Sequence, residues 1–258
     1  MKVVSFFSEK GGVGKSLHTI LFSSWLQYHE GMRVCVLDFE PVAFRIGDER
    51  NADEARLRNP LSPLSRYCRK LEEARGGSWN YYPVIWIGGT RILSSFDKVL
   101  EMKSDVERFI KENADKYDCL VMDFPSDFTT YSIAFEVMCS GFCDLVVIPV
   151  SIARASRACA FTTAINLAAN KQKVRLFWND VSVMDIARKG FLDAGEKVFN
   201  DEGLEFLPVR IKSFGKADRE ADKILFVKST VVWPQRYVEM ACPQLVDLYG
   251  EVKGLLEL

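Results

Sequence analysis

The stretch that decides the fold is Ser8–Ser16, which reads SEKGGVGKS. It follows a short apolar run, Val3–Phe7, and precedes a segment from Leu17 to Tyr28 whose apolar residues recur at steps of three and four. The run is typical of a buried strand, and the spacing is typical of an amphipathic helix. Glycines let the backbone turn tightly and direct N–H groups at one point, and the helix N-terminus adds the positive end of its dipole. This arrangement predicts a phosphate-binding loop.

The end of the loop supplies the two side chains that a triphosphate requires. Lys15 places a compact cation on the β- and γ-phosphates, and the Ser16 hydroxyl can ligate magnesium. The residues predicted to contact the nucleotide here are Gly11, Gly12, Val13, Gly14, Lys15, Ser16 and Leu17.

Apolar runs recur along the rest of the chain, separated by segments long enough for a helix. They are Val34–Leu37, Val84–Ile87, Cys119–Met122, Leu145–Ile148, Val174–Trp178 and Leu204–Leu207. Continuous rather than alternating hydrophobicity indicates strands that are buried on both faces. The alternation predicts an α/β fold, with a doubly wound, mostly parallel sheet and helices on both faces. We expect residues 1–258 to form a single domain of this kind.

The composition excludes several classes of protein. The chain has 258 residues, 34 Lys and Arg against 35 Asp and Glu, and 48% hydrophobic residues, so it is neither disordered nor a general polyanion binder. Its seven cysteines include no Cys-x-x-Cys pair, and it has only two histidines, which argues against zinc and disulfides. No apolar run reaches the roughly 18 residues that span a bilayer. We expect free thiols and a cytoplasmic location.

The least regular stretch lies at about residues 44–82, between the second and third predicted strands. It mixes basic and acidic residues with Pro60, Pro63, Gly76 and Gly77. It is predicted to be an insertion, either a solvated surface segment or a specific binding element.

The loop departs from the ordinary Gly-x-x-x-x-Gly-Lys-Ser pattern at its first position. Glu9 stands where that pattern has glycine, and a second lysine, Lys10, opens the sequence KGGVGKS. In these residues the chain resembles the deviant-Walker ATPases, the ParA/MinD family. The resemblance implies ATP and Mg²⁺ as cofactors, with catalytic roles for Lys10 and Lys15. It also implies that Lys10 reaches the partner's phosphates across a nucleotide-sandwich homodimer.

Two acidic segments extend the resemblance. The sequence from Val36 to Pro41 is similar to the family's Asp-x-Asp-Pro segment, which implies that Asp38 supports the magnesium site and that Glu40 positions the attacking water. The family has aspartate at the position of Glu40. Asp123, which ends a strand-like run, resembles the Walker B acid that holds a magnesium-bound water, and the switch that senses the γ-phosphate would follow it in residues 124–130. The implied metal-site residues are Ser16, Asp38 and Asp123.

The resemblance also implies contacts to the base. Asn179 matches the family's adenine-reading asparagine, and Pro208 and Arg210 match its segment beside the base. An asparagine at the end of a strand is otherwise a common turn residue. No Asn-Lys-x-Asp segment is present, which favours ATP over GTP.

The segment from Val209 to Arg236 resembles the non-specific DNA-binding surface of partition ATPases. It holds seven basic and three acidic residues, so an ordinary solvated surface is the alternative. The candidate DNA contacts are Lys216, Arg219 and Lys223. The C-terminal segment is acidic, which argues against membrane binding, and we expect a helix docked on the core.

The resemblance predicts a ParA-like ATPase that slowly hydrolyses ATP to position or partition DNA. Its implied partners are a second copy, non-specific DNA, and a centromere-binding or other adaptor protein. Two alternatives stay open: a low-turnover nucleotide-dependent scaffold in a conjugative transfer apparatus, and an ATPase that positions a protein cargo.

Overall fold

The computed structural model describes residues 1–39, 81–83, 96–124, 138–182, 184, 189–212 and 243–258. In chain order the elements are β1 (Lys2–Phe6), α1 (Lys15–Tyr28), β2 (Val34–Asp38), β3 (Tyr81–Pro83), α2 (Phe96–Asn113), β4 (Cys119–Asp123), a π-helical turn (Met138–Phe142), β5 (Leu145–Val150), α3 (Arg154–Ala169), β6 (Val174–Val181), α4 (Lys189–Asn200), β7 (Phe206–Lys212) and α5 (Pro243–Leu256).

The described strands form one seven-stranded sheet in the order β3-β2-β4-β1-β5-β6-β7. Every pair of neighbouring strands is parallel, which confirms the predicted doubly wound α/β architecture. β1 lies in the middle, between β4 and β5. The loop after β1 therefore lies at the carboxyl edge of the sheet, where ligands bind in open α/β folds.

Helices cover both faces of the sheet, as predicted. One face packs against α2, α3 and α4, with Val106, Leu167 and Leu192 in its core. The other face packs against α1 and α5, with Leu26 and Leu248 in its core. These side chains are at most 3% exposed, and each fully buried leucine stabilises the fold by about 1.5–3 kcal/mol. The two cores hold the strands, and hence the loop after β1, in place.

The C-terminal helix α5 is docked on the sheet, which confirms that prediction. Its buried residues are Leu245, Leu248, Tyr249, Val252 and Leu256. Its last turns are tied to the body of the protein by an ion pair between Lys253 and Glu30, and by Lys173, whose Nζ donates to the Leu255 carbonyl at 2.8 Å. The apolar face of α5 is thus used for internal packing. Among the helices that the structure describes, none has the length and apolar character to cross a membrane.

Several strands differ in their bounds from the predicted runs. β7 runs from Phe206 to Lys212, so it begins two residues later and ends five residues later than the predicted run, because β6 offers it a paired edge as far as Val181. The described third strand, Tyr81–Pro83, pairs with β2 and includes the last two residues of the predicted 44–82 insertion. The run Val84–Ile87 and residues 44–80 lie outside the described part of the chain.

The described cysteines are free thiols, as expected. Burial raises the pKa of Cys35 and of Cys143 to about 12, so both stay protonated at neutral pH. Within the described ranges, no group of three or more His, Cys, Asp or Glu side chains could hold a metal ion. Cys35, Cys119 and Cys143 are buried in the two cores. Cys68 and Cys242 lie outside the described residues.

Candidate phosphate-binding site

The loop between β1 and α1 takes the tight path that its glycines permit. Gly12 has φ +76° and Gly14 has φ +96°, both in the left-handed region that glycine adopts without steric cost. A Cβ on Gly14 would lie 2.8 Å from Asn179 Nδ2, whereas the space beside Gly12 is open. Position 14 therefore requires glycine for two reasons: the backbone is left-handed there, and the Asn179 side chain leaves no room for a Cβ.

The two lysines of the loop have different surroundings. Lys15 is only 7% exposed, and its Nζ donates to the Lys10 carbonyl at 3.3 Å, so its cation lies across the loop itself. The Lys10 N–H donates to Ser8 Oγ at 3.2 Å, and Lys10 is exposed. Lys15 therefore lies against the loop of its own subunit, whereas Lys10 is exposed to solvent, where a second molecule could contact it.

Glu9, which replaces the first glycine of the ordinary pattern, is tied to helix α3. The buried hydroxyl of Thr163 donates to Glu9 Oε1 at 3.1 Å. A glycine could not make this contact. The hydrogen bond fixes the start of the loop against α3, and nothing local in the sequence predicts it, since the two residues are 154 positions apart.

The two predicted acids lie at the carboxyl ends of neighbouring strands. Asp38 of β2 and Asp123 of β4 are paired in register. Asp123 is fully buried, and the Thr19 hydroxyl of α1 donates to its Oδ1 at 3.4 Å. Directly after the acids, the rings of Phe39 and Phe124 stack with centroids 4.4 Å apart. The stack joins the two strand ends, and the hydrogen bond from Thr19 ties the end of β4 to α1 beside the loop.

The donors at this edge fit a magnesium ion. Ser16, in the first turn of α1, supplies a half-buried hydroxyl, and Thr19 one turn later ties the same helix to Asp123. Hydroxyl and carboxylate oxygens are the hard ligands that Mg²⁺ prefers, and Mg²⁺ commonly takes only one or two from protein and the rest from phosphates and water.

Asn179 of β6 contacts the loop directly. It is 8% exposed, and its Nδ2 donates to the Val13 carbonyl at 2.8 Å. Its Oδ1 lies 3.2 Å from His18 Nε2, and His18 Nδ1 lies 3.1 Å from the Tyr249 hydroxyl of α5. Burial lowers the pKa of His18 to about 4, partly offset by the hydrogen bond to Asn179, so the ring is neutral at pH 7.

Arg210 lies on the other face of the sheet from Asn179. It pairs in register with Trp178, the neighbour of Asn179, and successive residues of a strand point to opposite faces. Its guanidinium binds Asp193 at 2.8 Å and Glu196 at 2.9 Å, both on α4. The structure does not bring Arg210 to the loop, and Pro208 is exposed. Nucleotide contacts by these two residues stay predictions.

Several predicted functional residues lie outside the described part of the chain. They are Glu40, residues 125–130 of the predicted switch, and Lys216, Arg219 and Lys223. Conversely, sequence reasoning missed four residues that hold the site. Thr19, Thr163, His18 and Tyr249 act through partners that are more than a hundred positions away, so no local pattern marks them.

Comparison with solved structures identifies the fold. The MinC:MinD cell division protein complex of Aquifex aeolicus matches with a TM-score of 0.57 at 18% identity, over 97% of this chain and 96% of that chain. Cobyrinic acid a,c-diamide synthase from Mycobacterium smegmatis, with bound ADP and magnesium, matches with a TM-score of 0.55 at 14% identity, over 90% and 94%. The pNOB8 ParA bound to nonspecific DNA matches with a TM-score of 0.53 at 17% identity, over 97% and 98%.

No protein-family model and no curated protein matches the sequence of this chain. The solved structures match over nearly its whole length, and the described sheet, loop and flanking helices are those that the sequence predicted. The chain therefore has the fold of the ParA/MinD-type P-loop ATPases.

Proposed function

We propose that this protein binds ATP with Mg²⁺, forms a nucleotide-sandwich homodimer, and hydrolyses ATP slowly to position or partition DNA. One observation supports the proposal above the others. The loop from Lys10 to Ser16 has left-handed Gly12 and Gly14, and it lies at the carboxyl edge of the sheet where Asp123 ends β4. A glycine-rich turn, a lysine, a hydroxyl and a buried carboxylate together form the recurring site for a magnesium-bound triphosphate.

Each residue of the site has a definite part in this proposal. The N–H groups of residues 11–16 bind phosphate oxygens, and Lys15 offsets the charge of the β- and γ-phosphates. Ser16 would ligate the magnesium ion, Asp123 would hold a water bound to it, and Asp38 would support the site from the neighbouring strand. Bound magnesium would neutralise part of the charge that develops on the phosphates. Glu40 orients the attacking water, and Lys10 contacts the phosphates of the second subunit.

Two of the similar structures bear on the partners. One contains MinD with MinC, and another contains ParA on nonspecific DNA. We propose non-specific DNA and an adaptor or activator protein as the partners of this chain. The two alternatives are a scaffold with little turnover and an ATPase that positions a protein cargo.

One set of measurements tests the proposal. We expect Mg-ATP to bind, dimers to form in sedimentation with a non-hydrolysable ATP analogue, and DNA to bind only in the ATP-bound state. Dimerisation without DNA binding at low salt would favour the protein-cargo alternative. Dimerisation without turnover, even with a partner present, would favour the scaffold. Failure to bind Mg-ATP would reject the proposal.

Reversing the charges of Arg219 and Lys223 tests the DNA surface. Non-specific binding depends on phosphate contacts that release counterions, so log affinity falls linearly with log salt. The double change to glutamate is expected to weaken binding to all DNA sequences alike and to reduce the salt slope by up to about two, about one for each lost contact. Filter binding or anisotropy over a salt series measures both effects.

The matched control reverses Lys111 and Lys116, at the end of α2 and in the turn after it. This change alters the net charge equally but lies elsewhere in the sequence. A control that lowers the salt slope as much as the test variant would show that net charge, and not this segment, governs DNA binding.

Replacing Glu40 with alanine tests the water-positioning role. We expect nucleotide binding to be retained, hydrolysis to be lost and the ATP-bound dimer to accumulate. Glutamate has one methylene more than the family's aspartate, which moves the carboxylate by about 1 Å, and a misplacement of that order can cost about a hundredfold in rate. Glu40→Asp restores the family residue and should raise turnover. Phosphate release in single-turnover experiments measures the rates.

Glu202→Ala, which removes an exposed carboxylate after α4, serves as the control and should hydrolyse ATP at the wild-type rate. Wild-type turnover by Glu40→Ala would instead assign the role to Asp38 or to a residue of the 123–127 segment.

A further inference from the structure

Four groups form a buried chain of hydrogen bonds that ends on the phosphate-binding loop. It runs from the Tyr249 hydroxyl to His18, from His18 to Asn179, and from Asn179 to the Val13 carbonyl, with distances of 3.1, 3.2 and 2.8 Å. The three side chains are 0%, 1% and 8% exposed. This series of hydrogen bonds joins α5, near the C-terminal end of the sequence, to the loop near its N-terminal end.

The direction of every hydrogen bond in this chain follows from chemistry. A carbonyl oxygen can only accept, so the amide nitrogen of Asn179 must face Val13 and its oxygen must face His18. His18 therefore carries its proton on Nε2 and donates to Asn179. Because a neutral imidazole has one donor and one acceptor, Nδ1 accepts from the Tyr249 hydroxyl. The chain of donors runs one way, from α5 to the loop, and such chains strengthen cooperatively.

The packing around the chain leaves its members little freedom. His18 stacks on Phe6 with ring centroids 5.6 Å apart, and it meets Phe177 edge-on at 4.9 Å. On the loop side, Asn179 Nδ2 lies where a Cβ on Gly14 would come within 2.8 Å. Both ends of the amide are thus engaged beneath the loop, at the residues that precede Lys15.

We propose that Asn179 is a positioning residue for the phosphate-binding loop, and that Tyr249 of α5 sets its orientation through His18. The inference rests on the proposed function, because it assigns a task within the same nucleotide site. The inference has a consequence for specificity. The contact between Asn179 and Val13 supports binding of the triphosphate, whichever base the nucleotide carries. Loss of the contact between Asn179 and Val13 lowers the affinity for ATP, GTP and inorganic tripolyphosphate equally. Loss of an adenine-reading side chain would lower the affinity for ATP alone.

The main variant is Asn179→Leu, which keeps a similar shape, adds no charge near the phosphates, and leaves Val13 and His18 without their partner. Asn170→Leu is the matched control, since Asn170 also donates its amide to a backbone carbonyl, that of Asn166 at 2.8 Å, but it lies exposed at the end of α3. Calorimetric titration with Mg-ATP, Mg-GTP and Mg-tripolyphosphate should show about a tenfold loss for each ligand in the main variant. The control should match wild type.

A loss confined to ATP would make Asn179 a base reader and overturn the proposal, as would unchanged affinity for all three ligands. If Asn179→Leu does not fold, Tyr249→Phe decides, because it removes one hydroxyl and keeps the ring. Tyr249→Phe should lower the affinity for all three ligands by about threefold. Tyr117→Phe, which changes a buried tyrosine of the other core, should leave these affinities unchanged. If Tyr249→Phe binds the three ligands with wild-type affinity, the proposed role of Tyr249 and α5 in orienting Asn179 is wrong.

Hydrogen exchange in the nucleotide-free protein separates this inference from the proposed function. The amides of residues 11–15 should exchange faster in Asn179→Leu than in Asn170→Leu, while the amides of β4 and β5 keep their protection. Should the wild type bind none of the three ligands, the proposed function fails, and faster loop exchange still establishes the positioning contact. Equal loop exchange in the two variants would refute it.

Discussion

Replacing Lys15 with alanine is expected to abolish ATP binding. The lysine Nζ already lies against the loop, 3.3 Å from the Lys10 carbonyl, in a site where the side chain is 7% exposed. A charge pair at about 4 Å is worth about 4 kcal/mol at a protein-like dielectric, which corresponds to about a thousandfold in affinity. Calorimetric titration with Mg-ATP measures the loss.

Two further variants make the result interpretable. Lys15→Met keeps most of the apolar stem and removes the charge, so it should lose binding as alanine does if the cation is what matters. Lys111→Ala, at an exposed lysine of α2 paired with Glu107, controls for the loss of one positive charge. Affinity of Lys15→Ala within a few-fold of wild type would reject the phosphate-binding assignment.

Replacing Lys10 with alanine is expected to separate binding from assembly. Lys10 is exposed at the start of the loop, and its proposed target is a phosphate on the second subunit. The variant should therefore bind ATP near the wild-type affinity, fail to dimerise with a non-hydrolysable analogue, and lose hydrolysis. Sedimentation velocity and phosphate release measure the two losses. Because only the side chain is removed, the carbonyl that accepts from Lys15 remains.

The control for this variant is Lys171→Ala, an exposed lysine just after α3. It should dimerise and hydrolyse ATP like wild type. A Lys10→Ala protein that dimerises normally would rule out the sandwich arrangement for this chain, even if nucleotide binding is confirmed.

Sequence reasoning succeeded where the signal is local. Val3–Phe7 and Cys119–Met122 are continuous apolar runs, and central strands of a parallel sheet have no exposed face to mark with polar residues. The loop could also be predicted from the sequence, because the backbone at Gly12 and Gly14 has φ values that few other residues tolerate. At the edges of the sheet the signal was weaker, and the bounds of β3 and β7 differed from those predicted.

By itself, then, the sequence determined the α/β class and the parallel sheet, and it predicted a phosphate-binding loop that ends in Lys15 and Ser16. Each of these follows from the residue pattern of one short segment, or from its alternation with the next. The tertiary structure decided what holds the loop in place. Thr163 meets Glu9, Thr19 meets Asp123, and Tyr249 acts on Val13 through two buried side chains. These contacts exist because β6 lies only one strand away from β1, across β5, and because α5 packs on the same face of the sheet as α1. A hydrogen bond between residues over a hundred positions apart depends on how the elements pack, and no local pattern encodes that.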